Sequence, residues 1–313
     1  MPRVITAGET MLLGVPPSPG RLRHANSLHL KIGGAESNLA IALSRLGISA
    51  GWVSFLSDDE IGQLVLDRIR GEGVDTSQVS RLPDRPTGLY LREIVADGVR
   101  VYYYRAGSAA SIMAPGAFDA SYLEGADFLH LTGITPALSE SCADFVLWAA
   151  REAGSRGVRV SFDVNYRSKL CPPEAAKSFA EEMMPDVDLL LVGDEEARAI
   201  WGADDEDLLR SLASMGPGEI VLKRGKAGSA ALVDGRIVEK ASFEVDEVDP
   251  IGAGDAHAAG YLAGHLWGMD VGERLRLANA LGAYSVMTLG DYEGLPGWEE
   301  LNTWLDGEKE LGR

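Results

Sequence analysis

An α/β architecture, with a mainly parallel sheet covered by helices on both faces, follows from three features of this 313-residue chain. From residue 125 onward, short apolar runs alternate with helical stretches, the pattern of a parallel sheet with crossover helices. Between residues 86 and 112 the texture changes to paired β-prone runs, so a small separate β unit is expected beside the main sheet. The length is enough to bury a large core, as one big α/β domain or two smaller ones.

The elements follow in order. Val4–Gly8 reads as a short buried strand. Leu39, Ala42, Leu43 and Leu46 recur at three- and four-residue spacing, which predicts a helix over 38–46. Ala50–Phe55 is a strand, and Ile61–Arg70 is a helix that Gly71 and Gly73 end. Gly88–Val95 and Arg100–Arg105 are β-prone and joined by Ala96-Asp97-Gly98-Val99; Asp-Gly between such runs signals a hairpin. Strands are then expected at Phe128–Leu131, Val158–Asp163, Val187–Val192 and Glu219–Lys223, with helices near 139–153, 173–184 and 195–214 between them. Hairpin-like strands follow at Ser229–Val233 and Arg236–Glu239. Helices at 253–267 and 271–288 close the core, a short helix spans 297–305, and the charged segment Asp306–Arg313 is expected to fray.

Composition narrows the function. Hydrophobic residues make up 46% and charged residues 24%, ordinary for a soluble globular protein. No apolar run reaches membrane-spanning length, and Met1-Pro2-Arg3-Val4 opens directly into a strand-like segment, so a cytoplasmic protein without a signal peptide is expected. Cys142 and Cys171 are too few for a disulfide framework, and the five histidines are scattered, which argues against a structural zinc site. A net charge of −18 argues against nucleic acid and anionic membranes as partners. An anionic substrate would have to be met by local arginines against that repulsive background.

The most informative stretch is Asp249-Pro250-Ile251-Gly252-Ala253-Gly254-Asp255. Its glycines let consecutive backbone N–H groups point into one space and then feed a helix whose N-terminus is itself electropositive. Asp255 falls in the first helical turn, where a carboxylate can accept a proton from a substrate hydroxyl. An ordinary turn before a helix, with Asp255 as a favourable N-terminal charge, fits the same residues. A second motif, Gly33-Gly34-Ala35-Glu36-Ser37-Asn38-Leu39-Ala40, precedes the first helix. Its paired glycines permit close approach of a ligand to the main chain, and Asn38 offers both donors and acceptors to a polyol. Ser37 or Asn38 could equally serve as a helix cap.

Together, Gly-Gly-x-x-x-Asn-x-Ala and Asp-x-x-Gly-Ala-Gly-Asp resemble the ribokinase-like (PfkB) carbohydrate kinase family over nearly the whole chain. The resemblance implies a three-layer α/β/α fold and ATP-dependent phosphorylation of a sugar hydroxyl. Asp255 would be the catalytic base, and Gly252, Ala253 and Gly254 the anion hole. It also implies a main domain of residues 1–10, 33–85 and 113–313, with 11–32 and 86–112 forming a β lid over the sugar. Such lids pair between subunits, so a homo-oligomer is expected. An antiparallel extension of the main sheet is the alternative for the β-rich insert; exposed lid edges and an apolar face would favour a partner.

Arg105 ends Tyr102-Tyr103-Tyr104-Arg105, and Arg167 ends Asp163-Val164-Asn165-Tyr166-Arg167 just beyond a predicted strand, where ligands of open α/β sheets bind. Paired guanidinium groups suit a sugar carboxylate; with 47 acidic residues against 29 basic ones, ordinary surface ion pairs also suit them. With Gly290-Asp291-Tyr292-Glu293-Gly294, these motifs are similar to those of the 2-keto-3-deoxygluconate kinase subgroup. That resemblance implies phosphorylation at the C6 hydroxyl. Gly34, Ala35 and Asn38 would contact the sugar acid, Tyr90, Tyr103, Arg105 and Arg167 would line its pocket, and Asp291 would hold a distal hydroxyl. Glu9 is either a further contact or a solvated charge.

On the nucleotide side, Lys223-Arg224-Gly225-Lys226-Ala227-Gly228-Ser229 is basic and glycine-containing, but it lacks Walker A spacing. The family implies that Lys223, Gly225, Gly228, Gly252, Ala253 and Gly254 meet ATP, with Asn279 on the adenine side or simply on a helix surface. Mg²⁺ is expected with ATP, bridging phosphate oxygens; no dedicated metal cage is visible. The chain departs from the family at two points. Gly193-Asp194-Glu195-Glu196 keeps the Glu but not the Asn of a usual Asn-x-x-Glu, with Asp194 a possible substitute, and His257 replaces an apolar aromatic. Within the kinases, a fructokinase or ribokinase acting on a neutral sugar is the alternative. Outside them, the alternative is a noncatalytic sugar or nucleotide sensor, which would have no need of Asp255.

Overall fold

The computed structural model describes residues 1–95 and 98–311. In chain order the elements are β1 (Val4–Ala7), β2 (Met11–Val15), β3 (His29–Gly33), α1 (Ala35–Arg45), β4 (Ala50–Ser57), α2 (Glu60–Gly71), β5 (Val79–Leu82), β6 (Leu89–Val95) and β7 (Gly98–Tyr104). There follow β8 (Phe128–Thr132), α3 (Glu140–Ser155), β9 (Arg159–Asp163), α4 (Pro173–Met183), β10 (Leu189–Gly193), α5 (Asp194–Trp201), α6 (Glu206–Ala213) and β11 (Glu219–Lys223). Last come β12 (Ser229–Val233), β13 (Arg236–Lys240), α7 (Ala253–Leu266), α8 (Val271–Ser285) and α9 (Trp298–Leu311).

The main sheet has nine strands in the order β13-β12-β11-β10-β9-β8-β1-β4-β5. Every pairing from β11 to β5 is parallel, and only β12 and β13 add antiparallel. Side chains alternate across a strand with period two, and that alternation divides the core. On β10, Leu189 and Leu191 face the layer built by α1, α2, α7, α8 and α9, while Leu190 and Val192 face the layer built by α3 to α6. β11 and β12 split likewise, with Val221 and Ala231 on one side and Ile220, Leu222 and Leu232 on the other. This three-layer arrangement fits the expected ribokinase-like fold.

The β-rich insert is not an extension of that sheet. It forms a separate four-stranded sheet in the order β3-β2-β6-β7. β2 pairs antiparallel with β3 but parallel with β6, so β2 joins two antiparallel pairs distant in sequence. Ala96 and Asp97, half of the predicted hairpin turn, lie outside the described residues.

Two predicted elements need correction, and one strand was not predicted. The single helix expected at 195–214 is two, because Gly202 takes the left-handed conformation (φ 79°) and ends α5. Asp205 then caps α6 by accepting the Leu208 amide. The last helix runs to Leu311, so most of the segment expected to fray is helical. β5 was not anticipated: Val79-Ser80-Arg81-Leu82 is too short and too polar to show a period, and it is defined by pairing with β4.

Candidate active site

The segments beyond the carboxyl ends of β1, β8 and β9 line one cleft of about 1020 Å³, the crevice that parallel α/β sheets offer to ligands. Its lining includes Gly34, Ala35, Asn38, Tyr90, Tyr103, Arg105, Arg167, Gly252, Asp255 and Asp291. Residues drawn from five separate stretches of sequence therefore share one space.

Asp255 lies at the base. Gly252 takes φ 82° at the N-cap of α7, placing Asp255 in the first turn. A Cβ on Gly252 would fall 2.0 Å from the Asp291 carbonyl, so both conformation and packing require glycine there. Asn38 donates its amide to Asp255 Oδ2 at 2.8 Å, and Asn165 reaches Oδ1 at 3.4 Å. Asn38 thus holds the acid rather than capping α1, whose N-cap is Gly34. Burial pushes the Asp255 carboxyl up to about 6, against the pull of Asn38 and the nearby Arg167 charge. A carboxylate with that poise can take a proton near neutral pH.

Asn165 was missed as a site residue. It has φ 38°, a backbone conformation that Asn tolerates better than most residues, and the turn it makes after β9 directs it to Asp255. Glu36 was also missed. It is fully buried, and its Oε1 accepts the hydroxyls of Thr132 and Thr135 at 2.7 and 2.8 Å. Its carboxyl lies over Gly8, where a Cβ would come within 2.1 Å of Glu36 Cδ. Burial raises this acid to about 7.

At the far end, the Tyr90 hydroxyl donates to Asp291 Oδ2 at 2.6 Å, and the Tyr90 and Tyr103 rings stack with centroids 5.7 Å apart. A Cβ on Gly33 would collide with both Tyr90 Oη and Asp291 Oδ2, at 2.1 and 2.2 Å. Burial lifts Asp291 to about 7. Arg105 is not free: its guanidinium pairs with buried Glu9, which also accepts the Ser108 hydroxyl. Glu9 is therefore not a solvated charge, although it lines the cleft. Arg167, by contrast, is exposed and forms no ion pair among the described residues, although its charge is felt at Asp255. Lys169 joins it at the rim, 5.7 Å from the Tyr103 ring.

A profile described as the pfkB family of carbohydrate kinases matches residues 1–298. The chain belongs to that family. It is 33% identical to a 2-dehydro-3-deoxygluconokinase of Bacillus subtilis, across 97% of this chain and 96% of the relative. It is 35% identical to a 2-dehydro-3-deoxygalactonokinase of Haloferax volcanii, across 92% of each. A crystal structure of the Thermotoga maritima 2-dehydro-3-deoxygluconokinase superposes with a TM-score of 0.90 at 28% identity, covering 98% of this chain and 100% of that one.

In this PfkB kinase, the polar cluster beside α7 is built by strand register. Asp163 pairs with Leu191, and Lys223 with Gly193, at neighbouring strand ends. Lys223 Nζ contacts Asp163 Oδ2 at 2.6 Å and lies 3.6 Å from where a Cβ on Gly254 would stand. Burial opposes the Lys223 charge, but Asp163 and Glu196 outweigh it and hold the ammonium above its usual range. Glu196 accepts the Gly193 amide at 2.8 Å. Asp194, beside it, pairs with Arg198 on α5.

Gly225 has φ 51° with open space where a side chain would go, which suits approach of a ligand. Gly228 is required by packing instead: a Cβ there would meet the Lys240 carbonyl at 2.1 Å. The buried Asn279 amide is consumed by the protein. It accepts from Ser229 Oγ at 2.8 Å and donates to the carbonyls of Lys240 and Ala241 at 3.0 and 3.1 Å. Asn279 therefore shapes the loop after β13 and is not a helix-surface residue. His257 is buried on α7, and burial with the Lys223 charge lowers it to about 3, so the ring is neutral.

Proposed function

We propose that the chain is an ATP-dependent sugar-acid kinase that phosphorylates 2-keto-3-deoxygluconate at its C6 hydroxyl. The observation that carries this reading is the position of Asp255, held by Asn38 and Asn165 between the glycine-lined start of α7 and the sugar end of the cleft. The C6 hydroxyl gives its proton to Asp255 as its oxygen attacks the γ-phosphorus, and the bond to the β-phosphate oxygen breaks to release ADP. The amides of Gly252, Ala253 and Gly254, with Lys223 beside them, neutralise charge on the transferring group. Among the described residues no group of three or more His, Cys, Asp or Glu side chains could cage a metal. Mg²⁺ in this reading enters with ATP, held mainly by phosphate and water, and supplies charge neutralisation.

The carboxylate of the substrate falls to Arg167 at the exposed rim, with Lys169 close by, because Glu9 neutralises Arg105. Arg105 keeps an unpartnered Nε among the described residues and supports Tyr103, 5.8 Å from its ring. Asp291, Tyr90 and the Gly33-Gly34 backbone hold the sugar hydroxyls, and the Gly225 loop approaches the nucleotide. The galacto epimer is a second reading, favoured by the likeness to the Haloferax volcanii enzyme.

The four-stranded sheet acts as a lid over the sugar in this reading. Leu30, Val99, Tyr102 and Tyr104 remain 42–62% exposed on it, which supports self-association through the lid. ADP release in a panel of gluco and galacto keto-deoxy acids, fructose and ribose, each with Mg²⁺ and ATP, tests the assignment. Preference for a keto-deoxy acid is expected, and faster turnover of a neutral sugar would reject it.

A further inference from the structure

Arg92 on β6 is enclosed completely, with its side chain 1% exposed. A guanidinium in such a place is costly unless acids face it. Here Nη2 lies 2.8 Å from Asp249 Oδ2, and Nη1 lies 3.7 Å from Asp291 Oδ1. Asp249 precedes the turn into α7, and Asp291 lines the cleft beside Tyr90.

Asp249 opens the segment that leads into α7. Its Oδ1 accepts the Ile251 amide at 3.3 Å and its Oδ2 the Gly290 amide at 3.1 Å, so this side chain shapes the turn that presents the Gly252–Gly254 amides. Asp291 holds Tyr90 at the sugar end, and its carbonyl is the surface on which Gly252 rests. Tyr90 and Arg92 are two residues apart on one strand and project from the same face. A ligand that engages Tyr90 or the Asp291 carboxyl changes how these two acids share one cation. Asp249, and with it the turn before α7, is the other recipient of that cation.

We propose that Arg92 is a positioning residue that couples occupancy of the sugar end of the cleft to the arrangement of the Gly252–Gly254 amides. It touches neither substrate. It gives the phosphate end a differential contact with the sugar-free and sugar-bound states, which coupling between two sites requires. The inference rests on the reading of the cleft as a kinase site.

Calorimetric titration with adenylyl imidodiphosphate and Mg²⁺, with and without saturating 2-keto-3-deoxygluconate, tests it. The native protein is expected to bind the nucleotide analogue roughly 10-fold more tightly with sugar present, within the usual span of such couplings. In Arg92→Met that ratio falls to about 1, while the affinity for the analogue alone changes little, because the coupling and not the nucleotide site has been lost. Equal losses of both affinities with the ratio preserved would mean that Arg92 only supports the fold, and would overturn the proposal. So would a native ratio near 1. Should Arg92→Met fail to fold, Arg92→Lys decides the question. It keeps the charge but cannot face two acids in a fixed fork, so the ratio must fall at least threefold below native, and a native ratio would overturn the proposal. If the native protein binds no keto-deoxy acid, the substrate assignment fails by itself. The same ratio is then measured with whichever sugar supports ADP release.

Discussion

Asn38 donates to Asp255 across 217 positions of sequence, joining the start of α1 to the start of α7 at 2.8 Å. These two helix starts carry the two glycine motifs, so this hydrogen bond brings the proposed sugar and phosphate ends of the cleft into register. Replacing Asn38 with Ala removes the contact that most favours the Asp255 carboxylate. The acid is then harder to ionise, and the acidic limb of the kcat/KM profile moves to higher pH. The native limb is expected near 6, where Asp255 gains its proton. A pH–rate series on both proteins checks the direction, and an unmoved limb would separate it from Asp255.

Arg167→Ala is expected to raise KM for a keto-deoxy acid by roughly 10- to 100-fold, the worth of a charge-assisted contact. Fructose carries no carboxylate, and its KM should change little. Initial-rate measurements with both substrates decide the matter, and equal small effects would remove carboxylate recognition from Arg167.

Gly252→Ala places a methyl group at positive φ against the Asp291 carbonyl. Backbone strain alone costs about 1–2 kcal/mol, and the contact adds to it. The variant should melt at lower temperature and lose turnover more than nucleotide binding, because the amides it misplaces matter most when charge moves. Calorimetric melting and steady-state kinetics on the same preparation test both parts.

Burial lifts Glu36 to about 7 in the folded chain, above the ordinary Glu value near 4.3 in the unfolded one. The folded state therefore holds more protons between those values. The linked stability is complete below the unfolded pKa and is lost as pH rises through about 7. Glu36→Gln keeps an acceptor for Thr132 and Thr135 without a charge to desolvate. Its melting temperature, relative to the native protein, should rise between pH 5 and pH 8, and an equal difference at both would show that Glu36 does not ionise there.

Much of this architecture could be read from local pattern. The apolar runs at β8 to β11 stand out because both faces of a parallel sheet are buried, and the glycine motifs mark places where conformation, at Gly252, or close packing, at Gly33 and Gly34, excludes other residues. What escaped was set by distant partners. Gly88–Val95 reads as a β-prone run with no sign that Arg92 is enclosed, and only Asp249 and Asp291 make Arg92 a core residue. The ion pair of Arg105 with Glu9 joins residues 96 positions apart and has no local signal. Asn279 fell on a helix whose face could not be assigned without β12 and β13 in place. The place of Asp255 in the first turn of α7 was legible in sequence because its signal, an acid just after Gly-Ala-Gly, is entirely local.

The chemistry proposed for the cleft stands on the Asp255 side chain, and Asp255→Asn isolates it by keeping shape while removing the base. ADP release and calorimetric binding of ATP and sugar acid should be measured on one preparation of that variant. Turnover is expected to fall by at least about 10²-fold, in line with loss of a general base, with both ligands still bound near native affinity. Native turnover in Asp255→Asn would contradict the assignment.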